Sequence, residues 1–322
     1  MPLRVENLSK RYSNIWALRD VTFEVIDGEI FGIFGGTGSG KTSLLRAVVG
    51  LEKVNGGSIF VDEKDISSLA AISRTIYLSE SRTTAGRSSI FGRNRDTSSA
   101  GETQIKVFQR AIENDEPILL FDEPLAVVDA VHRGRLLGDL RRLAADGRMI
   151  IFASSDFERI ASICDRVAVI INGEIAQIGF PQQVYENPES VAVAKIVGRN
   201  NLFTARRLTS TNADLPEFLT IDGGHKLFAQ ATEKRFLGAI NQNVHLAIRP
   251  EHISIAFGAS FPEDNLLRAV VTTIKFLGET TLINLDADGL NLEARVFRVV
   301  GLNVGEECMI GMPPYRIQVL KS

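Results

Sequence analysis

The chain has 322 residues, of which 44% are hydrophobic and 23% charged, the balance of an ordinary globular protein. Its 36 basic and 39 acidic residues leave a net charge of −3, which argues against nucleic acid as the main partner. This length allows two domains, each with a core of its own.

The N-terminal residues and the apolar runs indicate how the chain relates to membranes. The opening MPLRVENLSKRY lacks the apolar core of a signal peptide, and runs such as VAVII at 167–171 are too short to span a bilayer. We therefore expect a soluble chain whose membrane role, if any, comes through a partner. Cys164 and Cys308 belong to no CxxC pair, so we expect two buried thiols rather than a zinc site.

Apolar strand patterns alternate with helical patterns over the first 198 residues. The strand runs are short and rich in Ile, Val, Phe and Leu. Strands that alternate with helices predict an α/β domain with a mostly parallel central sheet. The predicted strands lie within the β-rich residues 1–30 and at 29–34, 56–62, 74–78, 117–124 and 148–153, with a hairpin at 167–179 that turns at Asn172-Gly173.

The predicted helices begin and end at residues that favour helix ends. Asp129 and Asp156 are suitable N-caps, and Gly147 is a suitable stop. The helices are predicted at 42–51, 102–114, 129–147 and 156–164. The apolar residues of the helix at 42–51 are predicted to share one face: Leu44, Leu45, Val48 and Leu51. Residues 79–101 are polar and rich in Ser, Thr, Gly and Arg, which predicts a loop.

From residue 199 the chain reads as short strands separated by Gly- and Asp-containing turns, with no long helix. This pattern predicts a small β-barrel or sandwich rather than a continuation of the first domain.

A glycine-rich segment after the strand at 29–34 matches the phosphate-loop pattern G-x-x-x-x-G-K-[ST]. Its glycines let backbone N–H groups turn toward phosphate oxygens at a helix N-terminus. Lys41 can reach the β- and γ-phosphates, and the Thr42 hydroxyl can bind Mg²⁺. The candidate nucleotide ligands here are Gly35, Gly36, Thr37, Gly38, Ser39, Gly40, Lys41, Thr42 and Ser43.

An acidic pair, Asp122 and Glu123, follows the apolar run from Ile118 to Phe121. A buried strand delivers such side chains to the carboxyl edge of the sheet, where ligands of open α/β folds bind. We expect Asp122 to hold Mg²⁺ together with Thr42. Glu123 is the candidate catalytic residue, since its carboxylate could polarise the attacking water.

Several segments together resemble the ATP-binding subunits of ABC transporters. They are LRVENLSKRY with WALRDVTFEV, the phosphate loop followed by GLEKVNGGSIFVDEKDI, and LLFDEPLAVVDA at 119–130. The tail, with FPQQVYENPES, LAIRPEHISI and IKFLGETTLINLD, is similar to importer ATPases that carry a C-terminal OB-type (TOBE) barrel.

The resemblance implies a fold and a set of partners. The fold is an α/β P-loop NTPase, with a RecA-like core and an antiparallel β-subdomain over residues 1–198, followed by an all-β OB-like regulatory domain over 199–322. The cofactors are ATP and Mg²⁺, with Tyr12 stacking on adenine and Asp129 in the loop after the acidic strand. The partners are transmembrane permease subunits and a second ATP-binding subunit, identical or not, at the inner face of the cell membrane.

This sequence departs from the family pattern at four places. Where the family has an LSGGQ-type motif, which contacts nucleotide across a dimer, only Ser99 and Gly101 match, and Glu102 puts a carboxylate near phosphate. The family's glutamine is absent near Leu78-Ser79, and its switch histidine aligns with Ser155. Residues 79–97 are too few and too polar for the helical subdomain that docks on the permease.

Two functions from different classes remain open at this point. The first is a transport ATPase that binds two ATP molecules in a dimer and drives an importer. The second is a non-catalytic nucleotide-binding or regulatory subunit that pairs with a competent ATPase. The missing glutamine, histidine and helical subdomain favour the second, whereas Glu123 favours the first. A P-loop kinase is a distant third, because no acceptor-substrate site is evident.

Overall fold

A computed structural model describes residues 2–80, 100–126, 128–210, 215–229, 237–256, 265–298 and 301–320. By their internal contacts the residues separate into two compact units, Met1–Glu186 and Asn187–Ser322. The predicted boundary at 198 lies within the second of these units, and the predicted domain assignment stays a prediction.

The first unit contains an antiparallel and a mostly parallel sheet. Its strands are β1 (Leu3–Tyr12), β2 (Ile15–Val25), β3 (Ile30–Phe34), β4 (Gly56–Val61), β5 (Lys64–Asp65), β6 (Ile76–Glu80), β7 (Ile118–Asp122), β8 (Met149–Ser154), β9 (Arg166–Ile171) and β10 (Glu174–Gly179). Its helices are α1 (Lys41–Val49), α2 (Ala100–Ile112), α3 (Ala130–Ala145), α4 (Phe157–Ile163) and α5 (Pro181–Glu186). The strands of the antiparallel sheet are ordered β2-β1-β4-β5.

The larger sheet, ordered β10-β9-β3-β8-β7-β6, brings three strand ends together. β3, β8 and β7 are adjacent and parallel, and every residue in them is buried. In register, Phe34 lies beside Ser154, and Asp122 lies beside Ala153. The phosphate loop after β3 and the acidic pair at the end of β7 therefore meet at one edge of the sheet, as predicted.

The helices begin and end close to their predicted positions. The predicted loop at 79–101 is wrong at its ends, because β6 runs to Glu80 and α2 begins at Ala100, and the rest of it lies outside the described residues. Asp129 caps α3 and Asp156 caps α4 through their side chains, and Gly147 follows α3 with φ 95°. The prediction that Leu51 shares the buried face of α1 is wrong. Gly50 ends that helix with φ 85°, so Leu51 leaves the helical path and is 58% exposed, whereas Leu44, Leu45 and Val48 are buried.

The second unit is all-β apart from the short helix α6 (Val191–Ile196) and two 3₁₀ turns in its described residues, which confirms the predicted class. Two antiparallel sheets, ordered β13-β12-β11-β14-β20 and β15-β19-β16-β17-β18, share one hydrophobic core that contains Phe218 and Ile310. The strands are β11 (Asn201–Arg207), β12 (Glu217–Thr220), β13 (Lys226–Phe228), β14 (Asn243–Ile248), β15 (Ser254–Ala256), β16 (Asn265–Phe276), β17 (Thr281–Ala287), β18 (Leu290–Val296), β19 (Glu307–Met312) and β20 (Gln318–Leu320).

Two expectations about the whole chain can be compared with this structure. Cys164 and Cys308 are buried and free, and burial raises the pKa of both thiols. Within the described ranges no helix combines the length and the apolar character that a bilayer crossing requires.

Candidate nucleotide-binding site

The phosphate loop is held close to the rest of the sheet at its two ends. A Cβ on Gly35 would lie 2.5 Å from the Ile170 carbonyl oxygen, and one on Gly40 would lie 2.4 Å from the Ala17 carbonyl oxygen. Gly40 also has φ 109°, a conformation that glycine adopts without strain. These two positions therefore require glycine for close packing and for the turn into α1.

The middle of the loop faces open space. Gly36, Thr37 and Gly38 are exposed, and a Cβ on either glycine would meet nothing within 4 Å. Ser39 is 8% exposed, yet its Oγ has no hydrogen-bond partner. An open backbone cradle beside an unpartnered buried hydroxyl suits a polar ligand such as a phosphate group.

Lys41, the first residue of α1, has its ammonium group inside this cradle. Its Nζ donates to the carbonyl oxygens of Gly35 over 2.6 Å and Gly36 over 3.1 Å, and lies 3.7 Å from Glu123 Oε1. Burial lowers the pKa of Lys41, and the nearby carboxylates partly offset this effect. A buried cation whose burial is only partly offset by nearby carboxylates is well suited to a phosphate anion.

Thr42 and Asp122 form the second contact between the loop and the acidic strand. The Thr42 hydroxyl donates to Asp122 Oδ2 over 2.7 Å. Asp122 is 8% exposed, its Oδ1 has no hydrogen-bond partner, and burial raises its pKa. Two hard oxygen donors with an unsatisfied carboxylate oxygen fit the ligand preference of Mg²⁺.

Glu123 is held in place by its backbone and its side chain. Its φ is 50°, which is uncommon for a non-glycine residue. Its N–H donates to the Ala153 carbonyl oxygen over 3.0 Å, and its own carbonyl oxygen accepts from Gln104 Nε2 over 2.9 Å. On the side chain, the Ser154 hydroxyl donates to Oε2 over 3.3 Å, and Lys41 lies near Oε1.

Tyr12, the predicted adenine platform, stands at the end of β1 and is 44% exposed. Its hydroxyl lies 3.2 Å from Ser43 Oγ and donates to Glu52. Burial first, and the Glu52 contact second, raise the pKa of Tyr12. Lys10 Nζ lies 4.8 Å from the centre of the same ring. The ring is thus fixed at its hydroxyl end while much of its surface remains accessible.

A chain of ion pairs continues from Tyr12 toward the acidic strand. Arg46 Nη1 lies 3.6 Å from Glu52 Oε1, and Arg46 Nε donates to Glu80 Oε1 over 2.7 Å. The Glu80 contact is the main cause that raises the pKa of Arg46. Glu80 and Asp122 are neighbours in register on the adjacent strands β6 and β7. The series of ion pairs therefore extends from the Tyr12 end of the site to its acidic end.

Other predicted residues lie elsewhere or outside the described part. Asp129 is exposed, and its carboxylate accepts from the backbone N–H of His132 and lies 2.7 Å from His132 Nδ1. Ser155 is exposed, and no described hydrogen bond joins it to Glu123. Gly101 lies in the first turn of α2, and Ser99 falls outside the described residues. No described side-chain hydrogen bond or ion pair joins Asp129 or Ser155 to the phosphate loop of the same chain.

Two polar residues of the site were missed from the sequence. Ser154 ends the fully buried strand β8, which lies between β3 and β7. The rule that ligands bind at the carboxyl ends of parallel strands could have identified it. Gln104 is buried within α2, and no local sequence pattern indicates that its amide would reach Glu123 from another element.

Two family models and several curated proteins match this chain. The family model described as ABC transporter matches residues 18–91, and the TOBE domain model matches residues 246–320. The spermidine/putrescine import ATP-binding protein PotA of Protochlamydia amoebophila is 30% identical, over 86% of this chain and 83% of that protein. The sulfoquinovosyl glycerol transport ATP-binding protein SmoE of Agrobacterium fabrum is 27% identical, over 99% of this chain and 97% of that protein.

Solved structures match the fold of part of this chain. A nucleotide-free ATP-binding cassette from an ABC transporter matches with a TM-score of 0.54 and 19% identity, over 62% of this chain and all of that one. The phosphate loop, the acidic pair at the adjacent strand end and the relative that covers most of both chains lead to one assignment. The chain belongs to the ATP-binding subunits of ABC transporters, with a C-terminal TOBE domain.

Proposed function

We propose that this chain binds ATP with Mg²⁺ at the edge formed by the phosphate loop and the acidic strand, and hydrolyses it as a dimer to drive a solute importer. The observation that supports this proposal most is the convergence of Lys41, Thr42, Asp122 and Glu123 on one edge of the sheet. The same edge carries two unpartnered buried oxygens, Ser39 Oγ and Asp122 Oδ1.

Each of these residues has a distinct role in the proposed reaction. The phosphate-loop N–H groups and the Lys41 ammonium bind and neutralise phosphate oxygens. Thr42 and Asp122 would hold Mg²⁺, which when bound screens the phosphate charge. Glu123 orients the attacking water and accepts its proton. Tyr12 provides an accessible ring for the adenine base.

The proposed partners follow from the relatives. Those relatives are named as import or transport ATP-binding proteins for spermidine and putrescine, sulfoquinovosyl glycerol, sulfate, and maltose. We infer that this chain acts with transmembrane permease subunits at the inner face of the cell membrane. The relatives' solutes are chemically unrelated, so we propose an importer without naming its solute.

A second candidate, a non-catalytic subunit that pairs with a competent ATPase, is favoured by two observations. Ser155, which aligns with the family's switch histidine, is exposed and has no described contact with Glu123. Ser79, near the position of the family's glutamine, is 4% exposed and lies within β6. A serine at either place lacks the reach of the longer side chain.

Steady-state hydrolysis by the purified chain separates these two functions. ATP turnover and ATP affinity would be measured with Mg²⁺ and with excess chelator, for the wild type and for Lys41→Ala. Turnover that requires both Mg²⁺ and Lys41 supports the ATPase. Tight, Lys41-dependent ATP binding without turnover, at any chain concentration, would contradict hydrolysis by this chain and favour the non-catalytic subunit.

A further inference from the structure

Ser154 occupies a position at the site that differs from that of its neighbour. Ser154 is 1% exposed and ends β8, whereas Ser155 is exposed. The Ser154 hydroxyl lies 3.3 Å from Glu123 Oε2, across the boundary between two adjacent parallel strands. Of these two serines, the one in contact with the candidate catalytic carboxylate is therefore the one before the position that aligns with the family's histidine.

The hydrogen bonds of Ser154 set the direction of its single proton. The hydroxyl oxygen accepts from the backbone N–H of Asp156 over 3.1 Å. Since a hydroxyl has one proton to donate, and this oxygen already accepts, the proton is available to Glu123 Oε2. Asp156 itself is fixed as the N-cap of α4, so the acceptor contact is anchored to a helix end.

The carboxylate of Glu123 is thereby held at both of its oxygens. Oε2 accepts a hydrogen bond from the Ser154 hydroxyl, and Oε1 lies 3.7 Å from Lys41 Nζ. A hydrogen bond to a carboxylate both stabilises and orients it. When a phosphate anion takes Lys41 as its partner, the Ser154 hydrogen bond would still fix the rotation of this carboxylate.

We propose that Ser154 is a positioning residue for Glu123 in ATP hydrolysis, an inference that rests on the proposed function. Ser154 holds Oε2, so that Oε1 faces the attacking water beside the phosphate loop. It does not touch the nucleotide, so its effect falls on the rate of the chemical step and not on ATP binding.

The test compares Ser154→Ala with the matched control Ser162→Ala, at an exposed serine of α4. The Ser154→Ala variant should lower kcat by about 10-fold, because an oriented hydrogen bond to the carboxylate is lost, with ATP Kd within about twofold of wild type. Ser154→Thr keeps a hydroxyl and should restore most of kcat. Thermal melting of each variant reports whether the folded state survives.

A double-mutant cycle with Glu123→Gln tests whether Ser154 acts through that carboxylate. In single-turnover measurements over long times, Ser154→Ala should leave the residual rate of Glu123→Gln unchanged. A 10-fold loss of rate when Ser154→Ala is added to Glu123→Gln would overturn the inference. An unchanged kcat in the Ser154→Ala single variant would also overturn it, as would a loss of ATP affinity in that variant as large as its loss of kcat. An inactive wild type would overturn the proposed hydrolysis itself, whereas an active wild type with a fully active Ser154→Ala would overturn this inference alone.

Discussion

Thr42 donates its hydroxyl hydrogen bond to Asp122 over 2.7 Å, although 80 residues separate the two in sequence. This contact joins the first turn of α1 to the end of β7. It uses one Asp122 oxygen and leaves the other without a partner. The site in this state therefore contains a buried carboxylate that hydrogen bonding only partly satisfies.

Replacing Asp122 with Asn should stabilise the nucleotide-free chain at neutral pH. Burial raises the pKa of Asp122 above its ordinary value of 3.8, so its ionisation opposes folding at pH above that value. Thermal melts from pH 8 downward should show a higher Tm for Asp122→Asn, with a gain that shrinks as pH falls toward 4. The control is Asp115→Asn, at a fully exposed carboxylate. A lower Tm for Asp122→Asn than for the wild type at pH 8 would contradict the expected stabilisation.

The Asp122→Asn variant should also lose most of the gain in ATP affinity that Mg²⁺ provides. Asn offers a neutral oxygen in place of a carboxylate, which a hard cation binds more weakly. Titrations with and without Mg²⁺ should show an Mg²⁺-dependent gain for the wild type that falls by about 10-fold or more in Asp122→Asn. An undiminished gain would place the cation elsewhere.

Replacing Lys41 with Ala should weaken ATP binding by about 10- to 100-fold, the usual loss for a charge-assisted hydrogen bond. Its ammonium group lies inside the phosphate cradle, within 3.1 Å of two loop carbonyl oxygens. Isothermal titration would compare it with Lys64→Ala, at an exposed lysine of β5. Equal losses in both variants would indicate a nonspecific charge effect.

Tyr12 should contribute to binding of the base and not of the phosphates. Tyr12→Ala should lower ATP affinity by about 10-fold, since stacking of one base contributes about 1–3 kcal/mol. Affinity for inorganic triphosphate should not change. Tyr12→Phe keeps the ring and loses only the contacts to Ser43 and Glu52, so it should bind ATP nearly as the wild type does. A loss of triphosphate affinity in Tyr12→Ala would mean that the substitution disturbs the loop itself.

Asp129 should act on stability through its cap. Asp129→Ala removes the acceptor for the His132 N–H at the start of α3 and should lower the Tm. Asp129→Asn retains a capping oxygen and should melt near the wild type. If Asp129→Asn melts normally but turns over ATP more slowly, the residue also has the role in the nucleotide site that its family resemblance implies.

The sequence predicted those parts of the site that are contiguous. The phosphate loop and the acidic pair each lie in one short segment, and strand polarity alone places them together. The contacts of Ser154, Gln104 and Glu52 depend on which elements pack together, which local pattern does not encode. Helical spacing alone predicts that Leu51 lies on the buried face of α1, but Gly50 ends the helix before that residue.

The rate of ATP hydrolysis by Glu123→Gln tests the central claim most directly. Glutamine keeps the size of the side chain and can still accept the hydrogen bond from the Ser154 hydroxyl. It cannot accept the proton of the attacking water. Mg-ATP turnover and ATP affinity would be measured side by side for this variant and the wild type. The account predicts a measurable wild-type rate, a loss of at least about 100-fold in Glu123→Gln, and equal or tighter ATP binding. Equal rates in the two proteins, or no turnover in either, would contradict the assignment of Glu123 as the catalytic residue of an ATPase.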